Sequence, residues 1–250
     1  DIASGVGGVF SLVEDYFAPP ILVKFGKMHG VPCVAVRSVG IVNLILCMLP
    51  FGFIIVLDVC LLVASYIMVY LSAMVLRKKI PAEEYKFKVP GGFGLLALIC
   101  IVPIGVAIFA FFINGSDYYL GGMIGIISGP ILYVIWRKMY GGLTKKDPVA
   151  YPLNPKTGLG VGDTRKMALL FFLMTVLNVI ACVFMPWYEG WGTANAWESG
   201  DYFDGILSNV DVDSIVGVIG TGLHILTAVC AVACIVLYLV SKKVEPAKEK

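Results

Sequence analysis

The sequence predicts an all-α polytopic membrane protein, and three observations carry that prediction. Hydrophobic residues make up 59% of the chain and charged residues only 14%, whereas a soluble domain carries about 25% charged residues. The apolar residues are collected in runs that approach the ~20 residues a helix needs to cross a bilayer. All 19 Lys and Arg residues lie in or beside alternate connecting segments, as the positive-inside rule expects of a multi-pass chain.

Six apolar runs are predicted to be full transmembrane helices. Four of them occupy residues 31–136 and two further helices occupy residues 167–240; their bounds are 31–49, 53–76, 93–113, 119–136, 167–187 and 215–240. Residues 1–30 read as the end of a truncated membrane helix plus a connector, so we expect a longer protein whose N-terminal part precedes Asp1. A loop at 137–166 and a charged tail at 241–250, which is expected to be disordered, complete the chain.

The segment at residues 77–92 fixes the predicted orientation. Arg77, Lys78 and Lys79 end an apolar run, and such residues stay on the cytoplasmic side because carrying them across costs several kcal/mol. The connector, the 137–166 loop and the tail are also basic, so all four segments are predicted to be cytoplasmic. The alternate loops carry acidic residues and no Lys or Arg. The expected location is the plasma membrane, and specifically the cytoplasmic membrane of a prokaryote.

Asp58 is the only carboxylate inside a predicted full span. Ser65 and Ser72 follow at seven-residue intervals, which places all three on one slowly drifting stripe of the helix. A charge in lipid is costly, so such a residue normally faces a bundle interior or an aqueous cavity. One interpretation is a transport pathway with Asp58 as a gate or proton-coupling acid. The other is an interfacial acid that reaches the outer water.

Two further polar or small-residue patterns lie within predicted helices. His224 has Thr221 three residues before it, and the pair is read either as a packed polar contact or as a proton relay. Gly121, Gly125 and Gly129 recur every four residues, which allows close helix approach. That approach would serve packing within the subunit or a homodimer.

Several function classes find no support in the sequence. No zinc spacing, nucleophile elbow, phosphate loop or dinucleotide fingerprint is present, so we expect neither an enzyme nor a bound cofactor or metal. The basic loops hold only scattered aromatic residues and are explained by membrane topology, so no nucleic-acid partner is expected.

Two loop motifs resemble those of the amino acid–polyamine–organocation (APC) superfamily of permeases. Those proteins end their eighth helix in a D-G-x-L-P segment, followed by F-x-K and by a G-x-P that starts the ninth helix. Tyr16 stands here where that family has glycine. The second motif is the F-K-V-P-G-G at 87–92, which resembles the link between helices ten and eleven. The residues of this chain that match the first motif are Asp15, Pro19, Phe25, Lys27, Gly30 and Pro32.

The resemblance covers about residues 2–136 and implies the C-terminal part of a secondary-active amino-acid or polyamine transporter. It implies a fold of two inverted five-helix repeats, with the first four full helices here as helices nine to twelve. It also implies alternating access, coupling to H⁺ or Na⁺, and a main substrate site upstream of Asp1. A channel or pore subunit and a non-transporting membrane scaffold are the alternative functions.

Overall fold

The computed structural model describes residues 2–24, 32–49, 51–79, 92–191 and 212–244. All named elements in these ranges are helical, which confirms the all-α prediction at that level. A short 3-10 turn occupies Pro20–Val23. The α-helices are α1 (Ile2–Glu14), α2 (Cys33–Leu46), α3 (Phe51–Lys79), α4 (Gly92–Ile113), α5 (Ser116–Tyr140), α6 (Leu143–Lys146), α7 (Asp163–Tyr188) and α8 (Val212–Val244).

Five of these helices are long and apolar enough to cross a membrane, namely α3, α4, α5, α7 and α8. The chain therefore has the helices of a multi-pass membrane protein, as the sequence predicts. The predicted span at 31–49 differs, because α2 has only 14 residues and a length of about 21 Å. The hydrocarbon core of a bilayer is about 30 Å thick.

The short α2 ends where its hydrogen-bond ladder tightens. The amides of Met48 and Leu49 donate to carbonyls three residues earlier, on Ile45 and Leu46, which is the pattern of a tightened final turn. Pro50 follows in the sequence, and a residue before proline is disfavoured in the α conformation. A prediction from hydropathy alone includes this apolar turn in the helix, which is why the predicted span reaches residue 49.

The other long helices extend beyond their predicted apolar runs. Helix α5 starts at Ser116 with Asp117 in its first turn and has Arg137 in its last turn, charges that complement the helix dipole. Helix α8 continues to Val244, so the first residues of the predicted tail are helical. A hydropathy pattern predicts only the apolar part of each helix. Charged and polar residues at the ends extend the helix beyond that part.

The chain divides into two compact units. The first comprises residues 1–50, 127–180 and 221–250, and the second comprises residues 51–126 and 181–220. In the first unit, the amide of Gly142 donates to the Tyr16 carbonyl at 3.1 Å, and the rings of Phe17 and Tyr133 are 5.6 Å apart. The end of α1 thus packs where α5 meets α6. In the second unit α3 packs along α4.

Several predicted features lie outside the described residues. They are the motif residues Phe25, Lys27 and Gly30 in the connector, the segment 80–91, the acidic loop at 192–211 and the tail at 245–250.

Candidate functional sites

The predicted polar stripe of α3 lies on one exposed face of that helix. Asp58, Ser65 and Ser72 are all exposed, and at about 100° per residue they fall within roughly 40° of one another around the axis. The Ser65 hydroxyl donates to the Leu61 carbonyl at 3.0 Å, so part of its hydrogen-bonding capacity is met within the helix.

The face of α3 that packs against α5 begins beside this stripe and extends to the far side of the helix. Cys60 is 1% exposed and lies about 200° around the helix from Asp58. A Cβ atom placed on Gly122 of α5 would come within 3.0 Å of the Cys60 Cβ. Leu61, whose side chain a Cβ on Gly125 would meet at 3.0 Å, lies only about 60° from Asp58 and about 40° from Ser65. The polar stripe therefore flanks the face of α3 that packs on α5 within the second unit.

The second predicted pair, Thr221 and His224, lies on an exposed side of α8. Three residues separate them, which makes them neighbours on the helix surface. Thr227 lies one turn further along, and its hydroxyl donates to the Leu223 carbonyl at 2.7 Å. The polar-contact and proton-relay interpretations of the pair both stay predictions.

The predicted glycine face of α5 is used in part for packing within the second unit. A Cβ on Gly125 would meet the Leu61 side chain at 3.0 Å, whereas one on Gly129 would meet nothing within 4 Å. Gly122, which the four-residue pattern does not include, is tighter still, with Phe111 Cζ at 2.9 Å. Close approach is therefore centred on Gly122 and Gly125, and a homodimer through the Gly121–Gly125–Gly129 face stays a prediction.

A hydrogen-bonded cluster around one carboxylate, that of Glu189, lies in the second unit, where α5 begins and α7 ends. It is not among the features predicted from the sequence. The Glu189 carboxylate accepts hydrogen bonds from the Ser116 amide at 2.5 Å and the Ser116 hydroxyl at 2.8 Å. It also accepts one from the Trp191 indole at 2.7 Å. Glu189 thereby caps the first turn of α5, whose amides have no partners within the helix. The sequence shows that the segment around Glu189 is acidic and aromatic. It does not show that Glu189 pairs with Ser116, 73 residues earlier.

Aromatic side chains fill the space beside this cluster. The ring of Tyr119 is fully buried, with the Phe112 ring stacked at 5.3 Å and the Phe111 ring edge-on at 5.1 Å. Phe184 of α7 contacts Phe112 at 5.9 Å and stacks on Tyr188 at 5.3 Å. Because the rings pack on one another, the cluster is a core joining the ends of α4, α5 and α7.

A second polar network, in the first unit, joins the end of α5 to the start of α7. The Arg137 side chain is 5% exposed and lies 3.6 Å from the Asp163 carboxylate. Its guanidinium donates to the Tyr133 and Thr144 hydroxyls, each at 2.8 Å. Asp163 accepts from the Tyr133 hydroxyl and from the Gly160 amide. Removing one member of such a buried pair costs about 3–5 kcal/mol, which gives this network a structural role.

The 137–166 loop also has defined structure around Asn154. The Asn154 amide donates to the Leu159 carbonyl, the Gly158 amide donates to the Asn154 carbonyl, and an isolated bridge pairs Leu153 with Gly160. The Asn154 side-chain amide donates to the Val244 carbonyl at 3.2 Å. The loop thus caps the end of α8, where carbonyls lack partners within the helix.

The described residues contain no group of three or more His, Cys, Asp or Glu side chains placed to hold a metal ion. Comparison with protein-family models, with curated proteins and with solved structures finds no match for this chain.

Proposed function

We propose that the chain is the C-terminal part of a secondary-active transporter for amino acids or related amines, and that α3 lines its solute pathway. The observation that carries the proposal is the exposed stripe of Asp58, Ser65 and Ser72, which lies beside the face of α3 that packs on α5. An alternating-access cycle would expose this stripe to each side of the membrane in turn.

The length of the stripe favours a pathway over an interfacial acid. From Asp58 to Ser72 the helix rises about 21 Å, which is most of the ~30 Å hydrocarbon core. An acid that served only to reach outer water would need no polar residues deeper in the same face. A polar line of this length is stabilised by water or by polar groups of further helices.

Proline residues inside three of the long helices support conformational change. Pro103 lies within α4, Pro130 within α5 and Pro186 within α7. Each proline removes one hydrogen bond of its helix and favours a kink. Each of the three helices continues through its proline, which makes the proline a weakened point of the helix and not a break. Transporters bind substrate and ions with helices that are unwound near the midplane, and a weakened point is where such unwinding costs least.

Two backbone conformations support the resemblance to APC permeases. Tyr16 has φ of 60° and Gly92 has φ of 73°, both in the left-handed region that glycine favours. Position 16 is where that family has glycine, and Gly92 ends the segment that matches F-K-V-P-G-G. The proposal accordingly includes the inverted-repeat fold, the plasma membrane and coupling to H⁺ or Na⁺.

The test is a pair of substitutions in the complete transporter of which we propose this chain is a part. Asp58→Asn should abolish uptake or shift its pH dependence while surface expression is unchanged, since the amide cannot ionise. Ser65→Cys should react with a water-soluble thiol reagent and be protected by substrate.

Tyr66→Cys is the matched control for the labelling. Tyr66 is 52% exposed and lies next in sequence at the same depth, but about 100° further around α3. We expect it to face lipid and to react slowly. Wild-type transport by Asp58→Asn, together with equal labelling at positions 65 and 66, would contradict a pathway along this stripe.

A further inference from the structure

Three segments that are distant in sequence bring lysine residues together in the first unit. The Asn154 side chain accepts a hydrogen bond from the Lys156 amide at 3.0 Å and donates one to the Val244 carbonyl at 3.2 Å. One side chain therefore links the backbone of Lys156 to the last turn of α8. That turn carries Lys242 and Lys243.

The end of α5 adds a fourth lysine to the same place. The Cγ atom of Lys138 lies 4.0 Å from the position of a Cβ on Gly158, and the Gly158 amide donates to the Asn154 carbonyl at 2.9 Å. Lys138 thus lies beside the turn that holds Lys156. We call these four residues, Lys138, Lys156, Lys242 and Lys243, the lysine patch.

The acids described in this unit form no ion pair with the lysine patch. All four side chains are exposed, and no ion pair to any of them is found within the described ranges. Asp163 is engaged by Arg137 and Lys166, and Asp15 by Lys146. Asp147 accepts the amides of Val149 and Ala150. The side chains of residues 245–250 comprise two acidic and two basic groups and so carry no net charge.

We propose that the lysine patch binds the headgroup of an anionic phospholipid. Lys138, Lys242 and Lys243 lie at the ends of two membrane-length helices, where headgroups meet the protein, and Lys156 lies in the loop that caps one of these ends. The Lys242 ammonium is 4.9 Å from the Tyr238 ring, and aromatic rings favour this depth. Each lysine near an anionic surface strengthens binding about fivefold. The inference depends on α5 and α8 spanning the membrane and is independent of any transported solute.

Phosphatidylglycerol binding to the purified chain tests the proposal, with native mass spectrometry as the readout. We expect several-fold stronger retention of phosphatidylglycerol than of phosphatidylcholine, and weaker retention at high salt because the attraction is screened. The triple variant K156Q/K242Q/K243Q should bind phosphatidylglycerol at least about tenfold more weakly. Its melting temperature in phosphatidylcholine should equal that of the wild type.

The control variant K24Q/K78Q/K145Q removes the same charge from exposed lysines outside the patch. It should lose less than about twofold in affinity, since the patch is intact. Equal losses in the two variants would show an effect of net charge and overturn the proposal, as would wild-type binding by the patch variant. Displacement of the lipid by millimolar inorganic phosphate would assign the patch to a soluble anion and overturn it too.

Discussion

Tyr16 occupies a backbone position that glycine normally supplies. The Phe17 amide donates to the Leu12 carbonyl at 2.7 Å and the Tyr16 amide to the Val13 carbonyl at 3.0 Å. This is the pair of hydrogen bonds that ends a helix in a Schellman motif. Tyr16 is the one non-glycine residue of the described ranges with positive φ. Its ring offsets part of the resulting strain, because the Lys145 ammonium lies 5.2 Å from the ring centroid.

Comparison of Tyr16→Gly with Tyr16→Ala should isolate the backbone strain. Both variants lose the ring and its contact with Lys145, but only alanine keeps a Cβ in the left-handed region. We expect the glycine variant to be more stable by about 1 kcal/mol, measured by thermal denaturation in detergent. Equal melting temperatures would mean that the end of α1 relaxes to a different conformation.

Residues of the candidate sites differ in how far the sequence could predict them. The stripe of Asp58, Ser65 and Ser72 follows from helical periodicity, because all three belong to one helix. The cap of Ser116 by Glu189 does not, because it depends on which helix ends meet in space. Helical periodicity predicts which residues of one helix share a face, and composition predicts only that an acidic residue is present in a segment. Neither predicts which residues of two different helices meet.

At the scale of elements, α5 is positioned by glycines at which a side chain would collide. The four-residue repeat Gly121–Gly125–Gly129 predicts a smooth face but not its centre. The close approach centres on Gly122 and Gly125 because α5 meets Cys60 and Leu61 of α3 as well as Phe111 of α4. A row of glycines at four-residue spacing predicts close contact with a single neighbouring helix. Here three side chains from two helices determine where α5 makes its closest contacts.

Gly122→Ala and Gly129→Ala form a matched pair that tests this packing. The methyl group at position 122 would lie 2.9 Å from Phe111 Cζ and 3.0 Å from Cys60 Cβ. We expect a loss of about 1–3 kcal/mol, seen as a lower melting temperature. At position 129 the methyl group meets open space, and alanine should be neutral or stabilising because of its helix propensity. A larger loss at 129 than at 122 would instead indicate a second copy seated on that face.

The existence of the long helices follows from the sequence, whereas their ends do not. Apolar runs predict α3, α4, α5, α7 and α8, since a bilayer demands a helix wherever such a run crosses it. Helix ends depend on charges, caps and loop contacts that hydropathy does not measure. The capping of α8 at Val244 by Asn154, 90 residues away, is one example.

At the scale of the whole molecule, the positive-inside pattern requires the short α2 to cross the membrane. The connector with Lys24 and the segment beginning at Arg77 are both basic, and α2 and α3 lie between them. Both segments can be cytoplasmic only if α2 crosses the membrane as well as α3. A hydrophobic helix that is too short can cross by thinning the bilayer around it, at a modest cost.

Cysteine labelling between α2 and α3 tests this crossing. Met48 is 83% exposed and Val149 is 91% exposed, and they belong to segments predicted on opposite sides. In a background with Cys33 and Cys47 replaced by serine, Met48→Cys should react with an impermeant maleimide in intact cells. Val149→Cys should react only after permeabilisation. Protection of both positions would place α2 and the connector differently from the charge pattern.

The arrangement of polar groups leads us to expect that this chain alone does not transport. Selective binding of a zwitterion requires donors for its carboxylate and acceptors for its amine at one site. Transporters supply these from helix ends that unwinding exposes, because an intact helix has already paired its backbone. Pro103 removes one backbone hydrogen bond near the middle of α4 but is surrounded in sequence by Ile, Val and Gly. The Glu189 carboxylate, in turn, is occupied by Ser116 and Trp191.

Liposomes containing the purified 250-residue chain should therefore show neither saturable amino-acid binding nor exchange. The longer transporter that we propose, reconstituted in the same lipid, is the control and should show both. The α3 stripe offers a negative group at Asp58 but only serine hydroxyls beside it. In the proposed transporter it would therefore be one wall of the pathway and would need a facing surface from other helices. Stereoselective uptake by the 250-residue chain would contradict this division and would place the substrate site within the helices described here.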